Sequence, residues 1–106
     1  MTLFLVSCPQ HFDAFNLDDD DGRRFAENGG QRTVTVLVYL NDVVQGGQTS
    51  FPNLNLLVQP RQGMALVFFP ATVDGFLDPM ALHAALPAVD TKYVSQIWIR
   101  DRKSVV

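Results

Sequence analysis

The sequence predicts an all-β domain, a sandwich or barrel of short antiparallel strands. Three observations predict it. Thr33–Leu40 reads Thr-Val-Thr-Val-Leu-Val-Tyr-Leu, almost wholly β-formers. Turn signals recur at close spacing, at Asn41-Asp42, Gly46-Gly47, Arg61-Gln62-Gly63, Asp74-Gly75 and Pro87. A chain of 106 residues with 47% apolar and 18% charged residues has the composition of one globular domain, 1–106.

Taken in order, Thr2–Val6 is the first expected strand. Leu5-Val6-Ser7-Cys8 has the look of a lipoprotein cleavage box, but no Lys or Arg precedes it and the segment is too short for a signal core. A cytoplasmic location is therefore expected. Asp18-Asp19-Asp20-Asp21-Gly22-Arg23-Arg24 reads as a solvated loop. A calcium loop is excluded, because with Gly22 as the turn glycine the first ligand position falls on Leu17. Arg23–Asn28 suits one short helical turn. After Thr33–Leu40 come short strands at Thr49–Phe51 and Asn55–Val58 around Pro52, then a buried strand at Met64–Phe69. Ala71–Met80 is a loop. Ala81–Leu86, with its strand at Leu82–Leu86, carries His83, and Tyr93–Arg100 is the last strand.

Composition also excludes classes of partner. The net charge is -3 and there is no basic stripe, which argues against nucleic acid. No apolar run is long enough to span a membrane. The single Cys8 rules out an internal disulfide framework, and burial as an inert thiol is expected for it.

The chemistry is expected at His11-Phe12-Asp13. Residues two apart in a strand point to the same side, so His11 and Asp13 can aim at one point. A second imidazole from a neighbouring strand would complete two His and one carboxylate, the set that non-haem Fe(II) oxygenases use with open positions left over. His83 is the other of the two histidines in the chain. In the last strand, Lys92, Val94, Gln96, Trp98 and Arg100 share one face, and Tyr93, Ser95, Ile97 and Ile99 the other. The first face reads as the lining of a polar cavity or as solvent-facing, the second as core. If the strands of His83 and Lys92 pair, both residues face that cavity, and a buried anion there would need a cationic partner.

At this point the residues resemble the catalytic domain of the prolyl 4-hydroxylase family of Fe(II)/2-oxoglutarate dioxygenases, especially its bacterial members. The matching pieces are His11-Phe12-Asp13-Ala14-Phe15 and Gly29-Gly30-Gln31-Arg32-Thr33 running on to Asn41. They continue with Gly46-Gly47-Gln48-Thr49-Ser50-Phe51-Pro52, Pro60-Arg61-Gln62-Gly63-Met64-Ala65-Leu66, Asp78-Pro79-Met80-Ala81-Leu82-His83-Ala84 and Lys92-Tyr93-Val94-Ser95-Gln96-Ile97-Trp98-Ile99-Arg100. Ser7-Cys8-Pro9-Gln10 stands where the family usually has a Tyr-x-x-Gly-Gln segment, Gln48 where it has Glu, and Asp90-Thr91 where it has a Gly before the Lys.

The resemblance implies a double-stranded β-helix, or jelly roll, here expected to lack N-terminal elements and so to leave a sheet edge or apolar face uncovered. It implies Fe(II) held by His11, Asp13 and His83. Lys92 and Thr49 would bind the distal carboxylate of 2-oxoglutarate, and Arg32 and Trp98 would line a peptide groove. The implied activity is hydroxylation of proline in a peptide or protein, using O₂ and 2-oxoglutarate and releasing succinate and CO₂, with ascorbate as an accessory cofactor. A homo-oligomer or a partner on the uncovered edge is a further expectation. Two alternatives stand beside this one: an impaired jelly-roll scaffold acting as a binding module, and a cupin-like metal protein that does not use 2-oxoglutarate.

Overall fold

Two four-stranded antiparallel sheets face each other in the computed structural model, which describes residues 2–4 and 7–101. The strands are β1 (Thr2–Phe4), β2 (Cys8–His11), β3 (Arg32–Tyr39), β4 (Thr49–Phe51), β5 (Leu56–Val58), β6 (Ala65–Phe68), β7 (His83–Ala85) and β8 (Tyr93–Arg100). The major sheet has the order β1-β8-β3-β6 and the minor sheet β2-β7-β4-β5. Chain order passes back and forth between the sheets, as in a jelly roll, except at the β4–β5 hairpin, whose two strands both lie in the minor sheet. Leu5 and Val6 of the expected first strand lie outside the described residues.

The strand pair β3–β8 is the backbone of the major sheet. Its register sets Thr35 against Trp98, Leu37 against Gln96 and Tyr39 against Val94. These residues point into the space between the sheets. Leu37, Tyr39 and Val94 are buried there, with Val58, Met64 and Leu66 packed around them. Each such side chain taken from water contributes roughly 1.5–3 kcal/mol. The opposite face of β8 is not core as the parity suggested: Tyr93, Ile97 and Ile99 are exposed, and so is Val67 on β6. A strand in a two-layer fold has one inner face, and in β8 the face bearing Lys92, Val94 and Trp98 takes it. For the same reason the strand expected as buried at Met64–Phe69 alternates. It is an edge strand, with Ala65 and Val67 exposed and Leu66 and Phe68 half-buried.

The strands of His83 and Lys92 are not neighbours either. β7 pairs with β2 and β4, whereas β8 inserts between β1 and β3 in the other sheet. Residues 86–92 cross from one sheet to the other, so His83 and Lys92 reach the interior from opposite walls.

The acidic run is the start of a helix rather than a loop. Helix α1 spans Asp20–Glu27, ahead of the expected turn at Arg23–Asn28. Asp19 caps it by accepting from the Asp21 N–H at 3.2 Å, and Asp20 and Asp21 lie in the first turn, where the helix dipole favours negative charge. Gly22 lets the helix sit on the preceding loop, because a Cβ there would lie 1.9 Å from the Asn16 carbonyl oxygen. The other end is held by Arg100, whose guanidinium donates to the carbonyls of Phe25, Asn28 and Gly30. Pro52–Leu54 and Pro79–Ala81 are short 3₁₀ turns, and the latter leads into β7.

Gln31, just before β3, ties this end of the molecule together. Its side-chain amide donates to the carbonyls of Phe15 and Gly75, both at 2.8 Å, and its oxygen accepts from the Phe15 N–H at 2.8 Å. The loop after His11-Phe12-Asp13 and the loop around Gly75 are thereby fixed to the major sheet. No helix among the described residues is long and apolar enough to cross a membrane.

Candidate metal centre

His11 is the last residue of β2, and its register partner on β7 is His83. The register shifts between Cys8 and His11: three steps on β2 match two on β7. The extra residue makes a bulge, as happens beside functional sites, and Pro9 fits there because it has no N–H to offer a ladder. The bulge brings His11 opposite His83, with ring centroids 4.3 Å apart. Two residues on, beyond the ladder, Asp13 turns its carboxylate to the same point.

The three side chains converge, although Asp13 lies past the end of β2 and not on its period-two face as expected. Oδ1 of Asp13 lies 3.3 Å from Nε2 of His11 and 3.3 Å from Nε2 of His83. Those are separations expected of adjacent ligands on an ion bound at about 2.0–2.2 Å. All the candidate ligand atoms lie within 4.8 Å of one another. Each imidazole is oriented from behind: Nδ1 of His11 donates to the Pro9 carbonyl and Nδ1 of His83 to the Ala81 carbonyl, both at 2.8 Å. A ring whose Nδ1 donates presents the lone pair of Nε2 when neutral, the form that binds a metal. The donor set fits Fe(II), with two neutral nitrogens and one carboxylate oxygen. Phe68 packs against the His83 ring at 4.8 Å and Phe51 at 5.7 Å, forming an apolar wall behind the ligand.

The electrostatics follow from this packing. The hydrogen bond with Asp13 raises the His11 pKa, against the opposing effect of burial. Burial alone would push Asp13 up, but hydrogen bonds and charge from His11 and His83 in their protonated, metal-free form, with the Thr35 hydroxyl, hold it well below the usual carboxylate range. Asp13 is therefore ionised whenever the site could take a cation. Cys8 is half-buried rather than buried, with Sγ 3.7 Å from Nδ1 of His11.

Arg32 and Trp98, expected along a peptide groove, sit against Asp13. The Arg32 guanidinium is sandwiched between Trp98 at 4.5 Å and Phe15 at 4.9 Å, and donates to the Asp13 main-chain carbonyl at 3.3 Å. The Trp98 indole N–H donates to Oδ2 of Asp13 at 3.3 Å, and the Thr35 hydroxyl donates to the same oxygen at 2.8 Å.

Thr49 and Lys92 lie farther along the interior. Thr49 pairs with Ala85 on β7, two residues from His83 on the same side of the strand, or about 7 Å along it. Thr49 and Lys92 are each 2% exposed. The Thr49 hydroxyl is 2.6 Å from the Tyr39 hydroxyl, and the Lys92 ammonium stands 5.7 Å over the Tyr39 ring. Among the described residues no carboxylate lies within ion-pair reach of Lys92, and burial pushes its pKa down. Gly47 packs beside this side chain, where a Cβ would lie 3.5 Å from Cδ of Lys92. Burial likewise pushes Tyr39 up, with the Thr49 hydrogen bond acting the other way. A cavity of about 940 Å³ elsewhere, lined by Leu17, Arg23, Val73 and Phe76 among others, contains none of these groups. Chemistry rather than size assigns the site.

Thr35, Tyr39 and Gln31 are the site and support residues that sequence reading missed. Thr35 and Tyr39 stand in a run of β-formers where propensity alone accounts for them. Their shared strand parity was the available signal.

Comparison with known proteins agrees with this geometry. The sequence matches the 2OG-Fe(II) oxygenase superfamily over residues 6–100. A prolyl 4-hydroxylase homologue of Acanthamoeba polyphaga mimivirus is 41% identical over 96 residues, covering 89% of this chain and 40% of that protein. Bovine prolyl 4-hydroxylase subunit alpha-1 is 38% identical over 94 residues, covering 87% of this chain and 17% of the subunit. Among solved structures, the viral collagen prolyl hydroxylase of Paramecium Bursaria Chlorella virus-1, in its 2OG complex, superposes with a TM-score of 0.75 at 33% identity. That match covers 89% of this chain and 51% of the viral one. The chain thus spans two fifths or less of the mimivirus and bovine relatives.

Proposed function

Because the chain belongs to the 2OG-Fe(II) oxygenase superfamily, we propose that it hydroxylates proline in a peptide or protein, converting 2-oxoglutarate and O₂ to succinate and CO₂. His11, Asp13 and His83 would hold Fe(II). The bound iron supplies the oxidising chemistry with O₂ and 2-oxoglutarate, and the chain supplies position and a shielded cavity.

The observation that carries this reading is Lys92. A buried ammonium without a carboxylate partner is costly, and it becomes favourable only when an anion completes it. No carboxylate among the described residues fills that role, and a bound dicarboxylate would. Thr49 and Tyr39 add two hydroxyl groups beside it. Ala85, the ladder partner of Thr49, lies about 7 Å along β7 from His83, a separation comparable with the length of a five-carbon diacid. A metal-binding protein that did not use 2-oxoglutarate would have no need of Lys92, and a simple scaffold would need neither Lys92 nor the triad. Arg32, held flat between Phe15 and Trp98 at the metal end, is the candidate for orienting a peptide main chain.

The test is turnover. The chain, with Fe(II), 2-oxoglutarate and ascorbate under air, is offered proline-rich peptides. Succinate is measured together with a gain of one oxygen on proline by mass spectrometry. Succinate that depends on peptide, with hydroxyproline in that peptide, is the expected result. Hydroxylation at another residue type would overturn the substrate assignment.

A further inference from the structure

We infer that Thr35 and Trp98 are positioning residues that hold Asp13 to a single metal-facing oxygen and so keep one coordination place open for the co-substrate. The inference rests on the reading of the triad as a metal site.

A carboxylate can bind a cation through one oxygen or through both. In this chain the two oxygens of Asp13 have different surroundings. Oδ1 faces both imidazoles at 3.3 Å. Oδ2 accepts from the Thr35 hydroxyl at 2.8 Å and from the Trp98 indole at 3.3 Å. The two donors are register partners on β3 and β8, so one rung of the major sheet presents both. Neither is free to follow a moving carboxylate. Thr35 is 1% exposed on a central strand, and the Trp98 ring is stacked under Arg32, itself backed by Phe15. Asp13 is 5% exposed, so water is a poor substitute for either donor. Without the Thr35 hydroxyl, Oδ2 keeps one long hydrogen bond. The nearest replacement is the ion itself, and chelation through both oxygens would then fill a place that a ligand needs.

Mn(II) in place of Fe(II) tests this without 2-oxoglutarate, so failure of the co-substrate reading does not enter the result. Water-proton relaxation reports how many exchangeable waters the bound ion keeps. With three protein ligands on an octahedral ion the wild-type chain should show about three, and Thr35→Val about two. Relaxation enhancement per bound Mn(II) should fall by about one third, with metal affinity kept or tightened. Thr35→Ser, which retains the hydroxyl, should restore it. Trp98→Phe should move it in the same direction by less, and this variant carries the test if Thr35→Val does not fold. Unchanged relaxation in folded, Mn(II)-loaded variants would overturn the inference. A wild-type chain that binds no Mn(II) would overturn it together with the metal reading.

Discussion

His11 and His83 are register partners across the β2–β7 ladder, with their rings 4.3 Å apart. The pairing depends on the bulge at Pro9-Gln10. In a regular ladder the side-chain period is two, and a one-residue slip turns every following side chain to the other face. The bulge therefore decides whether His11 enters the interior. The histidine pair is a property of strand register as much as of residue identity.

Replacing Lys92 by Ala should separate co-substrate binding from metal binding. The variant loses the charge expected to neutralise the distal carboxylate, and breaking a buried ion pair costs about 3–5 kcal/mol. Calorimetry of 2-oxoglutarate on the Mn(II)-loaded chain should show that loss, while Mn(II) affinity stays within about twofold because no ligand is touched. Equal 2-oxoglutarate affinity in both chains would remove Lys92 from the site.

The same residue should cost stability when no anion accompanies it. Burial lowers its pKa from the ordinary 10.5. Between that lowered value and 10.5 the unfolded chain binds a proton that the folded chain has released, so stability rises with pH through this window. Below the window both states carry the charge and the full cost of burying it remains. Lys92→Met should therefore raise the co-substrate-free melting temperature near neutral pH, by a change on the order of 1–3 kcal/mol. The advantage should shrink as pH climbs toward 10.5. Thermal melts across pH check this, and a Met variant less stable at neutral pH would show that the ammonium already has a favourable partner.

Gln31 gives a stability prediction away from the chemistry. Its amide nitrogen donates to two carbonyls at 2.8 Å. In Gln31→Glu that position becomes an oxygen facing both acceptors. The expected loss is about 1–3 kcal/mol for each buried group left unpaired, larger above the carboxyl pKa than below it. Urea unfolding at acid and neutral pH reads both the size and the sign.

Much of this molecule was legible before the structure. The strand at Thr33–Leu40 was visible in its β-formers, and the triad in an H-x-D spacing plus the one other histidine. Three features were not. The parity of β8 identified two faces but not which was inner, because Tyr93, Ile97 and Ile99 are apolar and yet exposed. The sheet partner of β7 depends on a crossover at residues 86–92, and no local signal specifies one. Asp18–Arg24 is exposed charge as read, Gly22 excepted, but Asp20–Arg24 opens a helix and is not a loop, with Asp19 as its cap and Gly22 packed on Asn16. In each case tertiary placement decided between readings that local chemistry left equal.

An anaerobic titration with Fe(II) and then 2-oxoglutarate tests the central claim most directly. A 2-oxo acid that chelates Fe(II) gives a weak visible charge-transfer band. The wild-type chain should develop that band saturably, His83→Ala should not, and Lys92→Ala should need far more 2-oxoglutarate to reach it. A wild-type chain that holds Fe(II) at the triad yet shows no band at saturating 2-oxoglutarate would contradict the account.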